Sequence, residues 1–259
     1  MAAPMMHASP LNEVRVIGVP GIPEAQPGDD AGAMIRDCCA ALCPLEPGDI
    51  VVITHKLISK CEGRLVDLRG IEPSPFAIRF AERVGKDPRH VDVVLRESAR
   101  IVRMDRGLII AESHLGFICA NAGVDASNVP GDETVCLLPL DPDASAGAVR
   151  RTLVEATGFD VPVIITDSFG RPWRDGIVNV AIGVSGLRPL ADYRGQADDH
   201  GMILQASVLA VADEIAAASE LVMGKIARVP AAIVRGYSYQ PGEGSARELQ
   251  MPPHRDMFR

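Results

Sequence analysis

The chain carries none of the common nucleotide or hydrolase signatures. Its 259 residues contain no G-x-x-x-x-G-K-[ST], no G-x-G-x-x-G, no G-x-S-x-G and no H-E-x-x-H. These absences disfavour a P-loop, a Rossmann dinucleotide site, an α/β-hydrolase triad and a zincin. Aromatic residues make up only 4% of the chain, too few for a base-stacking platform. Positive charge is also in deficit: a net charge of −8 argues against a nucleic-acid footprint, which needs a basic face. Any anionic ligand must therefore be met locally, by metal ions and a few lysines and arginines. The six cysteines (Cys38, Cys39, Cys43, Cys61, Cys119, Cys136) form no C-x-x-C pair and read as reduced, mostly buried residues of a cytoplasmic protein. Residues 1–10, MAAPMMHASP, have neither a charged nor an apolar leader region, so no secretory signal is expected. The most apolar long segment, 202–223, is interrupted by Gln205, Asp213, Glu214 and Glu220, the pattern of a buried helix and not of a membrane span.

What is present is a chain able to bury a large core, with 47% hydrophobic residues and no internal repeat or low-complexity linker. One large domain, or two intimately joined ones, is expected over residues 1–259. Strands are predicted at 13–19, 50–54, 115–119, 134–138, 163–166, 178–187 and 229–234, and a hairpin is predicted around Asp105-Arg106-Gly107. Helices are predicted at 31–42 behind Asp30, at 76–84 behind Ser74-Pro75, from Asp87-Pro88 to about 98, at 148–157 before Gly158, and at 202–222 as the longest. Asp213 and Glu214 in that last helix are either buried ligands or exposed charges. The Gly- and Pro-rich tail from Gln240 is expected to lie over the surface.

The stretch 161–174, VPVIITDSFGRPWR, organises the functional reading. A buried strand is predicted to stop at Asp167, Ser168 and a glycine turn. Ligands in open α/β sheets collect beyond the carboxyl ends of strands, and two oxygen donors there suit a hard divalent cation. Arg171 and Arg174 follow at once and offer bidentate grips for phosphate or carboxylate beside the metal. An isolated Asp-Ser pair more often caps a turn. A second acid-bearing stretch, 120–128, weighs against that: it presents Asp125 and Asn128 after another strand, and Asp125 and Asp167 would share a cation if the two strands are neighbours. Two further strand ends carry candidate binding groups. Pro20-Gly21-Ile22-Pro23, two prolines around a glycine, is a stiff turn whose backbone can approach a ligand closely, or an ordinary connection; His55 and Lys60 could hold a base, ribose or phosphate, or be surface residues.

Taken together, VPGIPEAQPGDD, THKLISKCEGR, CANAGVDASN, ITDSFGRPWR, AVADEIAAASELVMGK and the terminal DMFR resemble the coenzyme F420-0:L-glutamate ligase family, in the right order and over nearly the whole chain. The resemblance implies an α+β fold particular to that family, with mixed sheets, packed helices and an intertwined homodimer. It implies a ligase that adds L-glutamate through γ-glutamyl links to the deazaflavin precursor F420-0. GTP would be co-substrate, two divalent ions (Mg or Mn) would be bound, and a monovalent cation such as K is admitted. By the same resemblance, Val19, Pro20, Gly21, Ile22, His55, Lys60 and Asn128 bind nucleotide, and Asp125, Asp167 and Ser168 bind metal. Arg171 and Arg174 are assigned to glutamate or the terminal phosphate from their position alone. His55 stands where relatives often have a small hydroxyl residue, and Ser168 where Thr is common. Some relatives carry a C-terminal flavin-binding domain, which this chain, ending at Arg259, is expected to lack. The partners implied are small molecules, without nucleic acid or membrane. Alternatives at this stage are a ligase acting on another cofactor such as a pterin, a metal-dependent nucleotide phosphohydrolase, and a non-catalytic nucleotide-binding regulator.

Overall fold

The computed structural model describes residues 13–129 and 131–257. Residues 1–10, on which the expectation about a secretory signal falls, and the last two residues of the terminal DMFR lie outside the described residues. In chain order the elements are β1 (Arg15–Gly18), α1 (Ala31–Leu42), β2 (Ile50–Thr54), α2 (His55–Cys61), β3 (Leu65–Asp67), α3 (Pro75–Val84), α4 (Pro88–Arg96), β4 (Ser98–Asp105), β5 (Leu108–Ser113), β6 (Ile118–Ala120), β7 (Thr134–Cys136), α5 (Pro142–Thr157), β8 (Val163–Arg171), β9 (Arg174–Ser185), β10 (Ala191–Asp192), β11 (Val208–Leu209), α6 (Val211–Met223) and β12 (Ala231–Arg235), with short 3-10 turns between. This is the mixed α+β architecture expected.

The caps read from the sequence are the caps that form. Asp30 accepts a 3.0 Å bond from the Ala33 N–H. Ser74 and Asp87 each accept from the first turn of a helix that opens on proline. Asp141 and Pro142 repeat the device for α5. Each such cap stabilises its helix by about 1 kcal/mol, and proline at the first position has no N–H to leave unpaired. The expected start of α5 at residue 148 is thus six residues late, because the Asp141-Pro142 pair already caps and opens the helix. The expected long helix over 202–222 is also corrected. Residues 202–210 hold only β11 and loop, and the sixteen-residue α5 exceeds the thirteen-residue α6.

Five strands form the main sheet in the order β1-β12-β2-β8-β9. β12 is antiparallel to both β1 and β2, and β2 is parallel to β8, so β1, β2 and β8 all point the same way. Their carboxyl ends share one rim. The middle strands are buried on both faces, which is why they read as unbroken apolar runs. Truncating fully buried Ile53 or Ile165 to Ala would cost about 2–5 kcal/mol. α5 sits so close to β9 that a side chain at Gly183 would strike the Pro142 carbonyl. A second, smaller core gathers Ala77 and Ala81 of α3, Val91 and Val94 of α4, Ile109 and Ala111 of β5, and Val124. The tail is anchored where a surface path was expected: Ala246 is buried, and Asp143 accepts from its N–H at 3.0 Å and from the Ser245 hydroxyl at 2.6 Å. Among the described residues no helix is long and apolar enough to cross a membrane.

Candidate functional site

The Val19–Ile22 turn, His55, Lys60, Asp125 and Asp167 are linked at the shared rim through α2, while Arg171 and Arg174 are not. This seven-residue helix follows β2 without a break, so its i,i+4 pairs face opposite ways. His55 and Ser59 turn inward and are both buried, with His55 Nδ1 3.3 Å from the Ser59 hydroxyl. Lys56 and Lys60 turn toward two loops. Lys56 Nζ lies 2.7 Å from Asp125 and donates at 2.6 Å to the Ser127 hydroxyl. Lys60 pairs with Glu24, which tethers the segment following Val19-Pro20-Gly21-Ile22. In that turn Val19 is buried and its N–H donates to the Ala231 carbonyl at 2.9 Å, while Gly21 holds φ +81°, a conformation suited to glycine. Pro20 and Gly21 are exposed and Ile22 is half-buried.

On the inward side, His55 Nε2 stands 3.3 Å from Asp167 Oδ1. The contact is not aligned as a hydrogen bond, so Nε2 is a buried nitrogen without a hydrogen-bond partner. Asp167 Oδ1 accepts the Ser168 N–H at 2.6 Å. Its Oδ2 carries no hydrogen bond among the described residues. The Cys119 thiol, within β6, is pushed up to about 12, by burial first and by the Asp167 carboxylate second, and β6 packs beside β8. Asp125 accepts from the Ser127 N–H at 2.7 Å and the Ser127 hydroxyl at 2.9 Å. Burial works to raise the Asp125 carboxyl, but Lys56 and the two Ser127 donors together hold it below the usual carboxylate range. His90 of α4 lies near enough to feel that charge; its own burial, helped by Lys86, pushes its pKa down. Asn128, exposed and at φ 56°, ends the loop.

The strand expected to stop at Asp167 instead continues to Arg171 and turns through Pro172-Trp173 into β9. Because β8 remains extended, the adjacent side chains of Asp167 and Ser168 point to opposite faces of the sheet. Ser168 donates to Asn179 at 2.6 Å, Asn179 donates to Glu220 at 2.9 Å, and Lys225 reaches both Ser168 and Glu220. The glycine turn beside the acids, read from Gly170, is absent. Arg171 and Arg174 are paired across the hairpin tip and exposed, with Arg171 donating at 3.2 Å to the Asp175 carbonyl. Of the acids in α6, Asp213 is half-buried and accepts the Ala181 N–H at 2.8 Å, while Glu214 is exposed. Sequence reasoning missed Lys56, Asn179, Glu220 and Lys225. Lys56 adjoins His55 and Lys225 follows the helix-ending Gly224, but nothing in the sequence marks Asn179 or Glu220.

The donor set fits a hard cation. Asp125, Asp167 and Ser168 offer carboxylate and hydroxyl oxygens on both sides of one strand, and Lys56 places an ammonium at Asp125 where a bound cation would be neutralised. Among the described residues no group of three or more His, Cys, Asp or Glu side chains forms a metal cage. An ion here would complete its shell with water or substrate oxygens, as magnesium commonly does.

Residues 21–236 match the family model described as F420-0:Gamma-glutamyl ligase. The chain is 47% identical over 254 residues to the coenzyme F420:L-glutamate ligase of Methanopyrus kandleri, covering 96% of this chain and 99% of that protein. The protein of the same name from Methanothermobacter thermautotrophicus is 46% identical over 253 residues, 95% of this chain and 99% of its own length. That of Archaeoglobus fulgidus is 40% identical over 247 residues, 95% and 96% respectively.

Proposed function

The chain belongs to the F420-0:Gamma-glutamyl ligase family, and from that membership we propose that it adds L-glutamate through γ-glutamyl amide bonds to coenzyme F420-0, with GTP as phosphoryl donor. The observation that carries the reading is the convergence on one rim. The Val19–Ile22 turn, the His55–Lys60 helix and the acids Asp125 and Asp167 come from separate stretches of sequence and are tied together through α2.

A carboxylate oxygen is a poor leaving group, so the γ-phosphoryl group passes first from GTP to the acceptor carboxylate, releasing GDP. The glutamate amine then attacks the acyl carbon, loses a proton and expels phosphate. Asp125 and Asp167 would hold one divalent ion and Ser168, on the other face of β8, a second. Such ions neutralise the charge on a transferring phosphoryl group. The chain's own groups do the rest. Lys56 and Lys60 exchange their loop carboxylates for nucleotide phosphates, the exposed backbone at Gly21 receives the nucleotide, Asn128 completes its site, and His55 fixes the orientation of Asp167. Arg171 and Arg174 bind glutamate or the terminal phosphate from a second copy of the chain. A homodimer is supported by the exposed tip, where Trp173 is 83% and Ile177 57% accessible. The six free cysteines fit a reducing, cytoplasmic setting. The whole described chain acts as one catalytic unit.

The test is mass spectrometry of F420-0 incubated with the protein, GTP, Mg or Mn and glutamate. The expected product is heavier by one or more glutamyl residues, with one GDP formed per bond. GTP consumed at full rate without acceptor, and no heavier product, would identify a phosphohydrolase instead.

A further inference from the structure

Beyond the rim, a cleft of 520 Å³ runs along the outer edge of β9, the last strand of the main sheet. Its floor includes Phe169 and Val180. Phe169 lies on β8 two residues beyond Asp167 and Val180 is the cross-strand partner of Asp167, so the cleft begins beside the acid, on the strand that carries it. One wall is Phe117 and Ile118 beside β6, and Phe117 meets Phe169 edge to face with ring centroids 6.2 Å apart. The C-terminal segment closes the other side with Leu249 and Met251. We propose that this cleft binds the planar ring end of the acceptor acid, leaving the carboxylate-bearing end to reach past Val180 to Asp167. The inference rests on the ligase reading and names where its second substrate sits.

Three features support it. The volume is that of a small-molecule site, roughly 300–1,000 Å³, with apolar walls and few polar groups. The charged lining is Glu112, itself paired with Arg100 at 2.8 Å, Asp213, Asp256 and Arg247, with far less positive charge than a polyphosphate needs. Placement is the third. Across the sheet order β1-β12-β2-β8-β9, the nucleotide turn lies at the β1 side and the cleft at the β9 side, with Asp167 on β8 between them. In-line phosphoryl transfer needs donor and acceptor oxygens on opposite sides of the transferred phosphorus, and ligands at the β1 and β9 sides would approach Asp167 from opposite directions.

Ile118→Trp and Met251→Trp test the inference. Both positions are partly exposed, at 38% and 56%, so each bulky side chain fills the cleft without entering a core. Binding of F420-0 and of GTP is measured separately by titration calorimetry on the full chain, which requires no turnover. The dissociation constant for F420-0 should rise about tenfold or more in each variant, with that for GTP unchanged; the latter also reports an intact fold. Wild-type affinity for F420-0 in both variants would overturn the cleft assignment even if the enzyme ligates glutamate. Binding of F420-0 that the variants abolish, in a wild type that forms no amide, would uphold the cleft and defeat the ligase reading.

Discussion

At its inner end the β8–β9 hairpin is held on every side: Asp167 faces buried His55, and Ser168 is bonded to Asn179 and reached by Lys225. At its outer end, every residue from 170 to 177 is exposed, and Arg171 donates to the Asp175 carbonyl of its own turn. The sequence presents both ends within one compact stretch. An extended strand rises about 3.3 Å per residue, so Arg171 lies roughly 13 Å along the strand from Asp167. Nearness in sequence therefore becomes distance in space, and the acids and arginines of one chain do not form one cluster. The inner end is tied down by neighbouring side chains; the outer end is an exposed projection, which under the proposed ligase reading acts on a second copy of the chain.

Substitutions can break this contrast, and the largest effects belong inside. Asp125→Ala and Asp167→Ala should each lower metal-dependent amide formation by about a thousandfold, the several kcal/mol that charge neutralisation at a phosphoryl group supplies. Circular dichroism should show the fold intact, since both acids are partly exposed. Turnover with unchanged metal dependence in both variants would remove them as ligands. His55→Gln comes next. It leaves the carboxylate but loosens its support, and should weaken metal binding about 10- to 100-fold, as loss of an orienting neighbour usually does. Wild-type metal affinity in this variant would show that His55 only fills space.

At the tip the effects should be smaller and of another kind. Arg171→Ala and Arg174→Ala should reduce amide formation about tenfold or more, through a lost charge-assisted contact, while GTP affinity holds steady. Unfolding temperature should barely move, because exposed positions contribute little to stability. A tip variant that loses GTP affinity as well would place the arginines at the nucleotide and erase the distinction. The smallest effect concerns acid. The folded Asp125 carboxyl titrates below its unfolded value of about 3.9. Its contribution to stability is therefore complete above that pH and is lost as pH falls through the folded pKa. With the side chain 39% exposed, screening limits it to a few tenths of a kcal/mol. Asp125→Asn should therefore lower stability by that little at neutral pH and flatten the acid limb, the two proteins becoming alike below the folded pKa.

Much of this was legible in the sequence because local chemistry decides it. Asp30, Ser74-Pro75 and Asp87-Pro88 announced their helices, and 50–54 announced a buried strand to the residue. Where local signals gave way to packing, the reading failed. Residues 202–210 have an apolar pattern but form a loop and β11, and β8 runs on past Thr166 to Arg171 because β9 continues to pair with it. The candidate acids were identifiable as oxygen donors at strand ends. Their coupling through α2 was not, since a helix starting directly at His55 is set by tertiary contact and has no side-chain cap to signal it.

The most direct measurement is Mn²⁺ binding, followed by electron paramagnetic resonance in the presence of a non-hydrolysable GTP analogue. The wild type should bind the ion, Asp125→Ala and Asp167→Ala should lose it, and Arg171→Ala and Arg174→Ala should bind as the wild type does. Without nucleotide, Lys56→Met should bind at least as tightly as the wild type, because its ammonium no longer competes at Asp125. Equal Mn²⁺ binding by the wild type and both aspartate variants, or loss of binding in the arginine variants, would contradict a metal site at the inner end of the hairpin.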